Sequence, residues 1–166
     1  MNIGFIGLGI MGAPMAGHLM AGGHQIITCI HKTPAPKTLI ESGLEVVENA
    51  KEVAKNSEII IVMVPDTPQV QDVLFNQNGI AEGLTDGKLI IDMSSISPIE
   101  TKEFANTIKS RGCGYLDAPV SGGELGAKAA SLTIMVGGSE EDFSRALPIF
   151  KLMGSNITLV GENGVG

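Results

Sequence analysis

Three short stretches carry residue types that could do chemistry. The first is "GFIGLGIMG", in which Gly7-Leu8-Gly9-Ile10-Met11-Gly12 spells GxGxxG directly after the strand-like Phe5-Ile6. It also opens a helix-period segment carrying Met11, Met15, Leu19 and Met20, and strand before with helix after is the context that gives this motif meaning. Glycine at the first position allows a tight turn, at the second lets the backbone approach a pyrophosphate, and at the third lets helix pack on strand. Free N–H groups and the positive end of the helix dipole then face the phosphates. The second stretch is "ITCIHKTP", Ile27 to Pro34, about 20 residues further on, where a protein that prefers NAD sets an acid on the ribose hydroxyls. Ile30 cannot accept those bonds. His31, Lys32 and Thr33 offer donors and positive charge instead, which suits a 2′-phosphate, so NADP(H) is favoured. NAD(H) stays possible if Lys32 is an ordinary solvated lysine at a strand end. The third stretch is "DAPVSGG", Asp117 to Gly123. Gly122 and Gly123 permit conformations that turn successive N–H groups towards an anion, and the Ser121 hydroxyl adds a donor. A small carboxylate could sit there; a flexible turn is the alternative.

These stretches need a scaffold that brings them together. Runs rich in β-branched residues at Asn2–Gly7, Gln25–Ile30, Glu58–Val64, Lys88–Asp92 and Gly114–Asp117 alternate with helix-period segments, and a shorter strand is expected at Leu44–Val47. Such alternation predicts an α/β fold with a doubly wound, mostly parallel Rossmann sheet. Ser131–Val136 and Asn156–Val160 read as extra C-terminal strands flanking a helix from Glu140 to Met153. "DAPVSGG" then lies beyond the carboxyl end of a strand, the side on which open α/β sheets bind ligands. Two helix starts are marked: Ser97-Pro98-Ile99-Glu100 has a capping serine, a first-turn proline and a capping-box glutamate, and Ser139 has Asp142 in the equivalent place. There is no repeat, low-complexity tract or linker, so residues 1–166 are read as one dinucleotide-binding domain.

Composition narrows the function. With 43% apolar and 17% charged residues the chain can bury a sizeable core, and 22 glycines with 4% aromatics suit close helix–sheet contacts. A net charge of −7, from 11 basic and 18 acidic residues, argues against a nucleic-acid surface, which needs a field of Lys and Arg. Any anionic ligand must be held locally. Cys29 and Cys113 sit in apolar runs without metal spacing and read as buried free thiols in a reducing compartment. No Lys or Arg precedes Lys32, against a signal peptide. The strongest apolar run, Ile59–Val64, falls far short of the ~20 residues of a membrane span. A cytoplasmic protein with no membrane partner and no metal is expected. His18 and His24 read as solvated, the methionines of the first helix as packing, and Glu140-Glu141-Asp142 as acids favoured at a helix N-terminus.

Together these residues resemble the β-hydroxyacid dehydrogenase family, through "GFIGLGIMGAPMA", "MVPDTPQV", "LIIDMSSISP", "LDAPVSGGELGAKAASLTIMVGG" and "VGENGVG" in the family's order and spacing. The resemblance covers essentially the whole chain, and "DAPVSGG" followed by "MVGG" is its most specific part. It implies hydride transfer from NADPH, or NADH, to the aldehyde carbon of a small semialdehyde acid, with a lysine ammonium protonating the developing alkoxide. "VSGGE" and "DMSS" look more like the members acting on tartronate semialdehyde, giving glycerate, than those acting on 3-hydroxyisobutyrate; glyoxylate and succinic semialdehyde are further alternatives. It implies that Gly7 to Gly12 hold the pyrophosphate, that Val64 and Pro65 line the adenine and ribose side, and that Ser95 approaches the nicotinamide half. Gln69 is a weaker carry-over to the cofactor, and Ser121, Gly122 and Gly123 would bind the substrate carboxylate. The family's catalytic lysine is expected a few positions past Gly166, so no catalytic residue is expected within the chain, which alone should show little or no turnover. A helical C-terminal substrate and dimerisation domain is likewise expected outside it, with a homodimer or homotetramer for the whole enzyme. A non-enzymatic NADP-sensing module remains the alternative of another class, because a Rossmann fold alone does not fix function.

Overall fold

A computed structural model describes residues 1–29 and 34–166. His31, Lys32 and Thr33, with Ile30, lie outside the described residues. Each apolar run forms a strand: β1 (Asn2–Ile6), β2 (Gln25–Cys29), β3 (Glu45–Val47), β4 (Ile59–Val62), β5 (Leu89–Asp92) and β6 (Gly114–Asp117). Between and after them come α1 (Gly12–Ala21), α2 (Lys37–Glu41), α3 (Ala50–Lys55), α4 (Thr67–Phe75), a 3-10 turn at Ile80–Gly83, and α5 (Pro98–Ser110). The C-terminal part adds β7 (Val120–Ser121), α6 (Gly123–Ala129), β8 (Leu132–Gly137), α7 (Glu140–Met153) and β9 (Gly154–Gly161).

The sheet runs β3-β2-β1-β4-β5-β6-β8-β7, with β9 also pairing β8. All pairings from β3 to β6 are parallel, and the order 3-2-1-4-5-6 reverses between β1 and β4, the switch point where such sheets open a ligand crevice. β8 joins β6 antiparallel through the pair Asp117 and Gly137, and β7 pairs it antiparallel as well. The expected extra strands are therefore present as β8 and β9, whereas β7 and the 3-10 turn were not anticipated. A two-residue strand carries no period, and only its pairing with β8 identifies it.

Strand alternation sends neighbouring side chains to opposite faces. Ile3, Phe5, Ile59, Ile61, Leu89 and Ile91 enter one core with Met15 and Leu19 of α1 and Ile149 and Phe150 of α7. Ile6, Ile60, Val62 and Ile90 enter the other with Val53 of α3, Leu74 of α4, and Phe104 and Ile108 of α5. Both faces are covered, which is why the central strands read as continuous apolar runs. Among the described residues no helix is long and apolar enough to cross a membrane, and no group of three or more His, Cys, Asp or Glu is placed to hold a metal ion.

Two local expectations change. The Ser139 hydroxyl does cap α7, accepting from the Asp142 amide at 3.1 Å. The box at Ser97 is not made: that side chain has no bond to the helix, and the Ser97 amide donates to Thr67 Oγ1 at 3.3 Å, tying the start of α5 to the start of α4. His18 is not simply solvated. It is half-buried, and its Nε2 lies 2.9 Å from both the Ala127 and Lys128 carbonyls at the end of α6.

Candidate functional site

At the switch point a cleft of about 520 Å³ opens beyond the carboxyl ends of the strands. Its floor is the turn from β1 into α1, Ile6 to Gly12; its sides are Thr28 and Cys29 at the end of β2 with Ala35 beyond it, Met63, Val64 and Pro65 after β4, and Ser95 after β5. Loops stay on the sheet's hydrogen-bond ladder here: the Met63 amide donates to the Ile6 carbonyl (2.8 Å) and the Met93 amide to the Val62 carbonyl (2.8 Å). The cleft walls thus extend a rigid sheet.

The three glycines differ in what they make possible. Gly7 has φ of +110°, and a Cβ there would run into the Met63 carbonyl; side chain and handedness are both excluded. A Cβ on Gly12 would strike the Gly7 carbonyl and approach the Phe5 ring, so this glycine lets the helix sit on the strand. Gly9 has nothing within 4 Å of its Cβ position. No neighbour among the described residues needs a glycine there, which leaves the space over its backbone to a ligand. The N-terminus of α1 has no side-chain cap and no acid in its first turn, so its free amides and positive dipole end stay available to an anion. These features fit the shape and charge of a dinucleotide pyrophosphate.

A polar network stands behind one wall. Asp92, at the end of β5, is buried with Ser94 and Tyr115. Its Oδ1 accepts the Ser94 amide at 3.0 Å, its Oδ2 accepts the Tyr115 hydroxyl at 3.3 Å, and Ser94 Oγ accepts the Val64 amide at 2.9 Å. Burial pushes the Asp92 carboxyl up to about 6 against those stabilising bonds, with the nearby Asp117 charge adding to the rise. Burial and the adjacent Asp92 likewise push the Tyr115 hydroxyl well above its ordinary value.

Asp117 anchors a second network. Its Oδ1 accepts Asn163 Nδ2 at 3.1 Å and the Gly164 amide at 3.0 Å, and its Oδ2 accepts the Gly166 amide at 3.0 Å. Asn163 also donates to the Tyr115 and Gly137 carbonyls. The loop Gly161–Gly166 is thereby pinned to the root of the loop that follows β6.

Of the residues singled out in the sequence, Gly7, Leu8, Gly9, Ile10, Met11, Gly12, Val64, Pro65 and Ser95 meet in the cleft. Gln69 does not line it, standing exposed on α4. Ser121, Gly122 and Gly123 are exposed outside the cleft lining, with φ of +128° at Gly122 and +58° at Gly123. Lys128 beyond them pairs with Glu124 at 2.9 Å. Cys29 and Cys113 are both free, but Cys29 is only half-buried because it stands at the cleft; burial still raises its thiol pKa. Met15 is buried, and Met11 and Met20 pack on the core as expected. His24 is half-buried, with no partner for its Nδ1 among the described residues; burial first, then the N-terminal charge, lower its pKa. The sequence reading missed Asp92, Ser94, Thr28, Ala35 and Met63. A usable signal was present for Asp92: an acid closing the otherwise apolar "LIID".

Comparison with known proteins places this geometry. Residues 2–161 match the family model described as the NAD binding domain of 6-phosphogluconate dehydrogenase. The chain is 56% identical over 167 aligned positions to 2-hydroxy-3-oxopropionate reductase of Escherichia coli (strain K12), covering 100% of this chain and 56% of that protein. A solved 3-hydroxyisobutyrate dehydrogenase of Mycobacterium tuberculosis, with L-serine, superposes with a TM-score of 0.87 at 34% identity, over 99% of this chain and 56% of that one. A structure of Psf3 in complex with NADP+ and 2-OPP gives 0.92 at 26% identity, over 98% and 58%. The chain spans about half the length of the curated relatives it matches.

Proposed function

We infer that this chain, which belongs to the β-hydroxyacid dehydrogenase family and is an NAD(P)-binding domain of it, supplies the cofactor half of a reductase. The reaction is reduction of a small semialdehyde acid, with tartronate semialdehyde giving glycerate as the favoured case. The observation that carries the cofactor role is the uncapped, acid-free start of α1 beneath the open face of Gly9, at the point where the strand order reverses. When bound, the nicotinamide supplies the hydride. The chain's own residues orient and shield it: the Gly7–Gly12 backbone takes the pyrophosphate, Val64 and Pro65 the ribose side, and Ser95 the nicotinamide side. Ser121, Gly122 and Gly123 take the substrate carboxylate, beyond the cleft proper. Identity to 2-hydroxy-3-oxopropionate reductase supports the choice of substrate. The family resemblance assigns the proton donor to a lysine outside the residues described above, and the chain spans about half the length of its curated relatives.

NADPH is the favoured cofactor, through His31, Lys32 and Thr33. The test is a titration of the purified chain with NADPH and with NADH by nicotinamide fluorescence at one fixed salt concentration, with Lys32→Glu alongside. NADPH should bind about tenfold or more tighter than NADH, and Lys32→Glu should abolish the difference, since one charge-assisted bond to phosphate contributes about 1.5–3 kcal/mol. Equal binding, unchanged in Lys32→Glu, would remove NADP preference from the reading.

A further inference from the structure

The hydrogen bonds behind the cleft form one line from the middle of the sheet to its wall. Tyr115 on β6 donates to Asp92 on β5, the Ser94 amide donates back to Asp92, and Ser94 Oγ takes the Val64 amide from the loop after β4. Tyr115, Asp92 and Ser94 are 0%, 1% and 3% exposed. None of the three lines the cleft, yet Val64 and Ser95, at the end of the line, both do. No Lys, Arg or His forms an ion pair with Asp92 among the described residues, and a buried carboxylate without a cation is a burden to the fold. The rest of β5 is Leu89, Ile90 and Ile91. An apolar residue at position 92 would continue that run, but it could not accept the Ser94 amide.

We propose that Asp92 is a positioning residue for the cofactor: through Ser94 it holds the wall after β4, at Val64, and the wall after β5, at Ser95, at a fixed separation. The inference rests on the reading of the cleft as the NAD(P) site. Asp92 touches no ligand. It acts because the segments after β4 and β5, already tied by the Met93 amide to the Val62 carbonyl and further out by the Ser97 amide to Thr67 Oγ1, are joined at Val64 itself through the Ser94 hydroxyl, and Asp92 holds Ser94 in place. Preorganised walls spare the ligand the ordering of those loops when it binds.

The test uses NADPH and NADH titration of the wild type, Asp92→Asn, Asp92→Ala, Ser94→Ala and the Asp92→Ala/Ser94→Ala double variant, with thermal melts to choose a temperature at which each is folded. Asparagine keeps an oxygen for the Ser94 amide and can donate to Tyr115, so Asp92→Asn should bind within about twofold of wild type. Asp92→Ala and Ser94→Ala should each weaken binding about 5- to 10-fold. The double variant should be no weaker than the weaker single, because both cut the same line. Amide exchange gives the readout that a general loss of stability would not move: the Val64 amide should exchange faster in both single variants while that of Ile26, on β2, stays unchanged. An Asp92→Ala chain that binds as wild type, losses that multiply in the double variant, or an asparagine variant as weak as alanine would each overturn the proposal. Ser94→Ala deletes a single oxygen and keeps the test open if Asp92→Ala does not fold. A wild type that binds neither nucleotide would instead overturn the cofactor reading, and this inference with it.

Discussion

Replacing Asp92 with asparagine keeps the shape of the side chain and removes its charge. In the fold the carboxyl stands at about 6 against an ordinary 3.8, and each pKa step is worth about 1.4 kcal/mol. Ionising Asp92 in the native protein is therefore about 3 kcal/mol harder than in the unfolded chain. Below 3.8 the group is neutral in both states and the penalty is absent. Between 3.8 and about 6 the native state holds the proton that the unfolded state has released, so stability falls as pH rises; above that window the penalty is complete. Asp92→Asn never ionises. It should be more stable than wild type by about 1–3 kcal/mol at about pH 7.5, the upper figure being a ceiling because the new NH2 must still be accepted by Tyr115. For a chain of this size that is a rise of roughly 3–10 °C in Tm. Urea unfolding of both proteins from about pH 4 to 8 measures it, and other carboxylates cancel in the difference. The gap should shrink below about 0.5 kcal/mol at about pH 4. An asparagine variant less stable than wild type at neutral pH, or a gap that does not change with pH, would refute the reasoning.

Gly7→Ala should destabilise by about 3 kcal/mol or more in denaturant unfolding, because φ of +110° and the Met63 carbonyl both exclude its methyl group. The Cβ of Gly9→Ala meets nothing among the described residues; the variant should change stability by less than about 1 kcal/mol yet weaken NAD(P)H binding at least about tenfold, since its methyl group stands in the pyrophosphate's approach. Ser139→Ala should cost about 1 kcal/mol for the lost cap on α7. Ser97→Ala, whose side chain caps nothing, should stay within about 0.5 kcal/mol of wild type by the same thermal melts.

How much of this was legible depended on how far apart the partners are in sequence. The parallel core was readable because Ile59–Val62 and Leu89–Asp92 are apolar on both faces and alternate with helical segments. The glycine turn was readable because its three positions answer to local backbone demands within six residues. Val64, Pro65 and Ser95 came from resemblance, and the structure brings them to the same cleft. His18 was misread because the carbonyls it meets are 109 and 110 residues away. Asp92 went unread for the same reason: Tyr115 lies 23 residues on, and Ser94 reaches Val64 30 residues back. Those bonds exist only once β4, β5 and β6 lie side by side. Ser97 shows the reverse error, a locally complete capping signal overridden by a bond to Thr67 on another helix.

The pinning of Asn163, Gly164 and Gly166 to Asp117 bears on the order in which the molecule comes apart. A short loop with little apolar burial ordinarily opens first and independently. Here, lifting residues 163–166 strips Asp117 of three donors and exposes the Tyr115 and Gly137 carbonyls that Asn163 satisfies, uncovering the Asp117 carboxylate beside β8. Letting go of that loop alone therefore breaks five hydrogen bonds made at the β6–β8 seam, which sets it apart from a loop held only by its own turn. The glycine-rich turn is thereby coupled to the end of β6 and to β8, so that a change at Asp117 is expected to loosen both.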